Sequence, residues 1–175
     1  TFADATEGIH TVPNEGCKLT KRIDLASGKE MTVSGTEGNV PLNELVATGK
    51  DRTIEKEGRH FLNAGELVIK FVRLTNGYIA PGKGPGGSIF IEGRTATSKT
   101  ITTIIGSIFS GIIAEKGAIG FNGRDKGSYN NNILLIRDST FENCVADTGG
   151  AIFIEVGIST TIIENTRFIN NIATI

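Results

Sequence analysis

The sequence has few of the residues that mark metal sites, cross-links and membrane spans. Cys17 and Cys144 are the only two cysteines among 175 residues, and neither belongs to a Cys-x-x-Cys motif or lies near a histidine pair. This spacing predicts two free thiols and no structural metal site, because zinc ligands come from closely spaced Cys and His. No apolar run approaches the roughly 20 residues that cross a bilayer, so no transmembrane segment is expected.

The charged residues are nearly balanced. Eighteen lysines and arginines stand against nineteen aspartates and glutamates, without a basic tract. Such a chain is not expected to bind nucleic acid or an acidic membrane surface through its charge. The first residues, TFADATEGIH, resemble neither a signal peptide nor a methionine start. We therefore expect a processed terminus or a piece of a longer chain.

The abundant residues are those of strands and turns. There are 24 isoleucines but 9 leucines, with 20 threonines, 23 glycines and 4 prolines. β-Branched residues suit pleated surfaces, and glycine suits turns, so little helix is expected. The length is that of one domain with a core.

A repeat of side-chain columns runs through the chain from Ile69 onwards. The anchor column holds one large apolar residue per unit: Leu74, Phe109, Phe141 and Phe168. Five residues before each anchor lies an isoleucine: Ile69, Ile104, Ile136 and Ile163. Two residues after each anchor lies a residue suited to a corner: Asn76, Gly111, Asn143 and Asn170. The anchors are 35, 32 and 27 residues apart, and a period in this range is typical of a solenoid.

The columns predict how the strands stack. Equivalent residues of successive coils lie above one another in a solenoid, so the four isoleucines should form one interior ladder. A second ladder should contain Ile89, Ile119 and Ile152, each two residues after a glycine that bends the chain. Strands paired between coils run parallel. The predicted fold class is therefore all-β, a parallel β-helix with coils of about 30 residues.

The repeat divides one continuous domain into two parts. Residues 66–175 carry the β-helix coils, whereas residues 1–65 fit the columns less well and are expected to form an irregular N-terminal cap and the first coils. The last residues, FINNIATI, stop where the next glycine pair would fall. The C-terminal end is expected to be an open edge that further coils or a partner cover.

The repeated phrases resemble a known family. FENCVADTGGAIFIE and FINNIA, with GGSI and KGAI before them, are similar to the GGA(I/L/V) and FxxN repeats of the polymorphic outer membrane protein type. The resemblance covers residues 66–175, although only residues 168–171 match FxxN in full. It implies a right-handed parallel β-helix like those of the pectin-lyase type. It also implies a secreted or surface-exposed protein, extracellular or at the cell surface, that acts in adhesion or assembly without catalysis.

Catalysis on polysaccharides is the main alternative, because many β-helices are enzymes of this kind. Cleavage of a glycosidic bond needs two carboxylates at a fixed separation, and lyase chemistry needs a base with nearby cations. Asp138 has Gly106 and Asn165 as its column partners, so neighbouring coils supply no second acid. His60 is interpreted as a packed or capping residue. No cofactor or metal is expected. A carbohydrate-active β-helix whose active residues lie outside this chain remains an alternative.

The candidate contact surface lies on the strand AIFIE and its equivalents. If the isoleucines of this strand point into the core, Phe153 points outward. Phe90 holds the same position in GGSIFIE, with Gly120 between them in the stack. Two rings on either side of a glycine would form a shallow apolar groove for another chain, unless a long loop such as residues 122–132 folds over them.

The turn NGRDKG is a second candidate for partner contact. Its Arg124, Asp125 and Lys126 are either a solvated turn or ligand contacts. These features predict a non-catalytic protein with a protein or glycan partner. A subunit of a larger protein assembly is a further alternative.

Overall fold

The structure is a computed structural model that describes residues 6–47, 58–93, 99–123, 132–155 and 160–175. Every regular element in these ranges is a β-strand, so they contain no helix that could cross a membrane. The strands form four sheets, which we label A to D, and neighbouring strands within each sheet are parallel.

Three sheets run through the whole stack, and a fourth joins the later coils. Sheet A contains β1 (Gly8–Thr11), β4 (Glu30–Ser34), β7 (Glu66–Lys70), β10 (Thr100–Ile105), β14 (Asn132–Arg137) and β18 (Thr160–Glu164). Sheet B contains β2 (Cys17–Leu19), β5 (Asn43–Ala47), β8 (Val72–Thr75), β11 (Ile108–Ser110), β15 (Thr140–Glu142) and β19 (Arg167–Ile169). Sheet C contains β3 (Ile23–Leu25), β6 (Phe61–Asn63), β9 (Ile89–Gly93), β13 (Ile119–Gly123) and β17 (Ile152–Ile154). Sheet D contains β12 (Ile113–Lys116), β16 (Val145–Thr148) and β20 (Ile172–Ala173).

The chain passes through the sheets in a fixed order. Each coil runs from sheet A to sheet B and on to sheet C, with sheet D between B and C in the later coils, and then returns to sheet A. This path confirms the predicted fold class, a right-handed parallel β-helix.

The strand register confirms both predicted ladders. In sheet A, Ile104 pairs with Ile69 and with Ile136, and Ile136 pairs with Ile163. The ladder in sheet C consists of Ile89, Ile119 and Ile152. The residues within both ladders, apart from those of the last strands, are fully buried and belong to one core.

The N-terminal third is more regular than its sequence indicates. Met31 and Val33 of β4 pair with Leu67 and Ile69 of β7, and β1 pairs with β4 in turn. The same interior columns are present with different apolar residues, because a core accepts apolar side chains of similar volume. Parallel strand pairing therefore begins at Gly8, in a part of the chain where the sequence repeat cannot be recognised.

Asparagine and glycine form the corners, as the columns predict. In the last four coils the corner after sheet B has a left-handed residue, with φ of 59°, 61°, 53° and 50°: Asn76, Gly111, Asn143 and Asn170. These residue types tolerate this region at little cost. The side-chain amide of Asn171, the residue after this corner, joins two coils. Its Nδ2 donates to Phe141 O at 2.8 Å, and its Oδ1 accepts from Cys144 N at 3.0 Å.

The last described coil has interior side chains that are exposed. Ile163 is 41% exposed and Phe168 is 49% exposed, whereas Ile136 and Phe141, one coil below, are fully buried. The reason is that no described strand pairs with the far side of this coil.

Both cysteines are free thiols, as predicted. Cys17 in β2 is partly buried, and Cys144 lies in the core. Burial raises the pKa of the Cys144 thiol to about 11, so this thiol stays protonated and weakly nucleophilic at neutral pH.

Candidate functional site

Seven side chains on the outward side of sheet A form an apolar surface, which we term the sheet A face. They are Val68, Ile101, Thr103, Ile105, Ile133, Leu135 and Ile162. All seven are half-buried. The residues that alternate with them, such as Ile104 and Ile136, are fully buried in the core. The strands of sheet A are therefore apolar on both sides over several coils.

The register makes this surface continuous. Thr103 at its centre pairs with Val68 on one side and Leu135 on the other, and Ile101 pairs with Ile133 beside them. Strands lie about 4.8 Å apart and rise about 3.3 Å per residue, so four strands of five residues cover about 300 Å². Exposed apolar patches of this size often mark interaction sites in soluble proteins.

Charged side chains border the sheet A face. Glu66 and Lys70 lie at the two ends of β7, and both point outward. Lys99 Nζ lies 3.6 Å from Glu66 Oε1, and Arg137 Nε lies 2.8 Å from Glu164 Oε2 on the opposite border. Lys70 has no ion-pair partner within the described ranges. The rim thus contains one acidic and one basic position on the same strand.

The sheet A face was not predicted from the sequence, although a signal was present. A strand with one side in the core and one side in water alternates apolar and polar residues. Residues 100–105 read TITTII and residues 132–137 read NILLIR, and neither segment shows this alternation. Such runs are ordinary in strands buried on both sides, so periodicity alone does not reveal that the outer side is accessible.

The aromatic residues that the sequence singled out lie on sheet C. Gly120 pairs with Phe90 on one side and with Phe153 on the other, as the repeat predicts. Both phenylalanines are half-buried. The Arg59 guanidinium lies 5.2 Å from the centre of the Phe90 ring, and Lys116 Nζ lies 5.0 Å from the centre of the Phe153 ring. Both rings thus have a cation over one side.

The space over Gly120 is occupied by the segment before β9. A Cβ atom at Gly120 would overlap Pro85 Cβ and Gly86 N, and both of these residues are buried. The expected cover was a loop such as residues 122–132, of which residues 124–131 lie outside the described residues. Residues 85 and 86 of the preceding coil fill the space between the two rings.

Arg59 holds this segment in place. Its Nε donates to Gly86 O at 2.7 Å, and its Nη2 donates to Pro85 O at 2.9 Å and to Lys83 O at 3.0 Å. Burial lowers the pKa of Arg59 to about 9, and the guanidinium remains charged at neutral pH. No sequence pattern links an isolated arginine to a Pro/Gly-rich loop much further along the chain. These hydrogen bonds of Arg59 were therefore not predicted from the sequence.

Gly120→Ala should lower the free energy of unfolding by about 2 kcal/mol, because the new methyl group must displace the packed Pro85–Gly86 backbone. Gly58→Ala is the matched control, since its Cβ would lie 3.5 Å from its nearest neighbour, an ordinary contact. The control should change stability by less than about 0.5 kcal/mol. Urea unfolding measures both variants, and a Gly120→Ala protein as stable as the unmodified chain would contradict this packing.

His60 is a core residue, as the sequence interpretation proposed. It is fully buried, and its Nε2 donates to Leu45 O at 3.0 Å while its Nδ1 accepts from Ser88 Oγ at 2.9 Å. Burial lowers the pKa of His60 to about 4. Both ring nitrogens are engaged inside the core, so a substrate outside cannot reach this imidazole as a base.

The charged turn lies outside the described residues, so the structure does not place Arg124, Asp125 or Lys126. Within the described ranges, no group of three or more His, Cys, Asp or Glu could hold a metal ion. Asp138 and its column partners lie at a corner of the coils, where Asn165 Nδ2 donates to Asp138 Oδ1 at 3.2 Å. This carboxylate therefore supports a turn of the backbone.

Comparisons with protein-family models, with curated proteins and with solved structures found no match. The description of this chain as a parallel β-helix accordingly rests on its own strand register.

Proposed function

We propose that this chain is a non-catalytic β-helical module of the polymorphic outer membrane protein type. In this proposal it acts outside the cell or at the cell surface, in adhesion, cell-surface structure or assembly. Its function is to bind a protein or glycan partner, and the sheet A face is the principal contact surface. The GGAI and FxxN phrases of the repeat support the family and the location.

The observation that carries this proposal is the sheet A face itself. Six of its seven side chains are apolar where a solvated sheet would be polar, and they lie on an array of paired strands. Burial of the apolar area that remains exposed on this face favours association, and the cost of association opposes it. A surface that is already ordered loses little conformational entropy when a partner binds.

The polar chemistry of the described residues also favours binding over catalysis. Glu142 Oε1 lies 2.7 Å from Arg73 Nη2, and Arg73 Nη2 also donates to Ser110 Oγ at 2.9 Å. Glu155 is paired with Lys116 at 3.7 Å. The Arg73–Glu142 pair spans three successive coils, with Ser110 in the middle one, and the Lys116–Glu155 pair joins two neighbouring coils. Such inter-coil pairs suit a scaffold whose outer surface must stay regular.

The test compares two matched variants in a binding assay. Labelled protein is applied to a glycan array and to fixed cells, as the unmodified chain, as Leu135→Glu and as Ile108→Glu. Leu135 lies in the sheet A face, whereas Ile108 is a half-buried outward residue of sheet B. We expect retention of the unmodified chain and of Ile108→Glu, with at least a tenfold loss for Leu135→Glu, because a charge would be buried against an apolar partner.

A parallel assay tests the alternative of catalysis. The chain is incubated with uronate-containing polysaccharides, and unsaturated products and new reducing ends are measured. No turnover is expected. Turnover that persists in Leu135→Glu would overturn the proposal in favour of a carbohydrate-active β-helix, and equal retention of the two variants would remove the sheet A face from the proposed function.

A further inference from the structure

We infer that the sheet A face binds the same face of a second copy of this chain, with the two-fold axis parallel to the long axis of the β-helix. This inference rests on the proposed function, since it names the partner of the same surface. It follows from the distribution of charge along β7 and from the apolar residues around it.

The two-fold axis fixes which residues meet. Rotation about an axis parallel to the stack keeps each coil at its own level and reverses the strand direction. The first outward residue of a strand then faces the last outward residue of the same strand in the second copy. In β7 these residues are Glu66 and Lys70. The arrangement therefore forms two identical ion pairs, one on each side of the axis.

The apolar residues match under the same rotation. The middle outward residue of each strand meets its own equivalent, which places Val68, Thr103 and Leu135 against themselves along the axis. Ile101 meets Ile105, since these are the first and last outward residues of β10. Packed sheets are inclined by about 30°, so contacts are closest near β10 at the centre.

The other two-fold arrangement is disfavoured by charge. An axis along the strands, centred on β10, would place β7 of one copy over β14 of the other without reversing the strand direction. Lys70 would then face Arg137, and Glu66 would face Ile133. Like charges across a partly desolvated interface are unfavourable. The charges on β7 thus favour the axis parallel to the stack.

Lys70 supplies an independent reason for this choice. It is half-buried at the edge of an apolar surface and has no ion-pair partner within the described residues. Among the described residues Glu66 pairs with Lys99 at 3.6 Å, through side chains that are 39% and 54% exposed. In the dimer each lysine gains a carboxylate. The footprint is about 300 Å² per copy, which is below the range of stable interfaces, so the dimer is expected to be weak and concentration-dependent.

The experiment measures self-association by sedimentation over a range from low to high micromolar concentration. The unmodified chain should shift from monomer to dimer within this range. Leu135→Glu should abolish the shift, and Lys70→Glu should weaken association about tenfold, since it removes two ion pairs and places like charges together. Lys18→Glu, an exposed position on sheet B, is the charge-matched control and should not change association.

A charge swap tests the axis itself. In a Lys99→Gln background, which removes the internal pair of Glu66, the double variant Glu66→Lys with Lys70→Glu should restore association to the level of that background. Circular dichroism confirms that each variant is folded. The inference is overturned by a chain that stays monomeric at all concentrations, by a dimer that survives Leu135→Glu, or by a swap that restores nothing.

These outcomes separate the inference from the proposed function. A monomeric chain whose retention on the array or on cells still depends on Leu135 would overturn the second copy as partner and leave the binding surface in place. A dimer that disappears in Leu135→Glu, together with retention that does not change in this variant, would support self-association and contradict adhesion through this face.

Discussion

Phe141→Ala should lower the free energy of unfolding by about 4 kcal/mol, among the largest losses expected for a single truncation in this chain. Phe141 is fully buried and lies between two other rings of the anchor column. Its ring centre is 4.7 Å from that of Phe109 and 5.3 Å from that of Phe168, with interplanar angles of 10° and 9°. Alanine would remove both stacking contacts and leave a cavity between two coils.

Phe168→Ala is the matched control for this prediction. It removes the same side chain from the same column, but Phe168 is 49% exposed and has one ring neighbour. We expect a loss of about 1 kcal/mol, because solvent already reaches the ring and no closed cavity forms. Urea unfolding followed by circular dichroism measures both variants. Equal losses for the two positions would show that burial within the stack does not set the stability of a coil.

The fold could be predicted from the sequence because a solenoid repeats its constraints. Ile104 satisfies the same requirement as Ile136, and Asn143 the same requirement as Gly111, so each column appears several times in one chain. Each constraint is also local, since a residue meets its equivalent one coil away. The sequence thus contains internal comparisons that a fold without repeats does not offer.

The N-terminal coils show the limit of this reasoning. Val33 pairs with Ile69 as regularly as Ile104 does, but its neighbours in sequence share no recognisable phrase with the later coils. Packing depends on volume and polarity, and several residue types satisfy both. The structural repeat can therefore continue where the sequence repeat is no longer recognisable, and here it continues back to Gly8.

The candidate surface was harder to predict, because it depends on what lies outside a strand. The sequence places Phe90 and Phe153 on the outer side of sheet C correctly, but it does not show that Pro85 and Gly86 fill the space between them. The sheet A face, by contrast, was not predicted from the sequence at all. Its strands have the composition of doubly buried strands, and only the structure shows Leu135 half-exposed.

The stability of this protein should fall by about 3 kcal/mol between pH 6.5 and pH 4 through His60 alone, beyond the loss caused by other groups. Burial lowers the pKa of His60 from 6.5 to about 4 in the folded chain. In this window the unfolded chain binds a proton that the folded chain does not accept, so acid favours unfolding. Well above pH 6.5 the imidazole is neutral in both states, and its contribution is constant.

His60→Gln tests this prediction through the slope of stability with pH. The variant has no imidazole to protonate, so its free energy of unfolding should fall by about 3 kcal/mol less over the same window, whatever its stability at neutral pH. Phe61→Leu is the control, because it disturbs the neighbouring fully buried side chain and retains the imidazole. It should be less stable than the unmodified chain at every pH, with an unchanged slope. Parallel curves for the unmodified chain and His60→Gln would mean that His60 binds a proton as readily in the folded core as in the unfolded chain. That result would conflict with a ring that donates to Leu45 O and accepts from Ser88 Oγ.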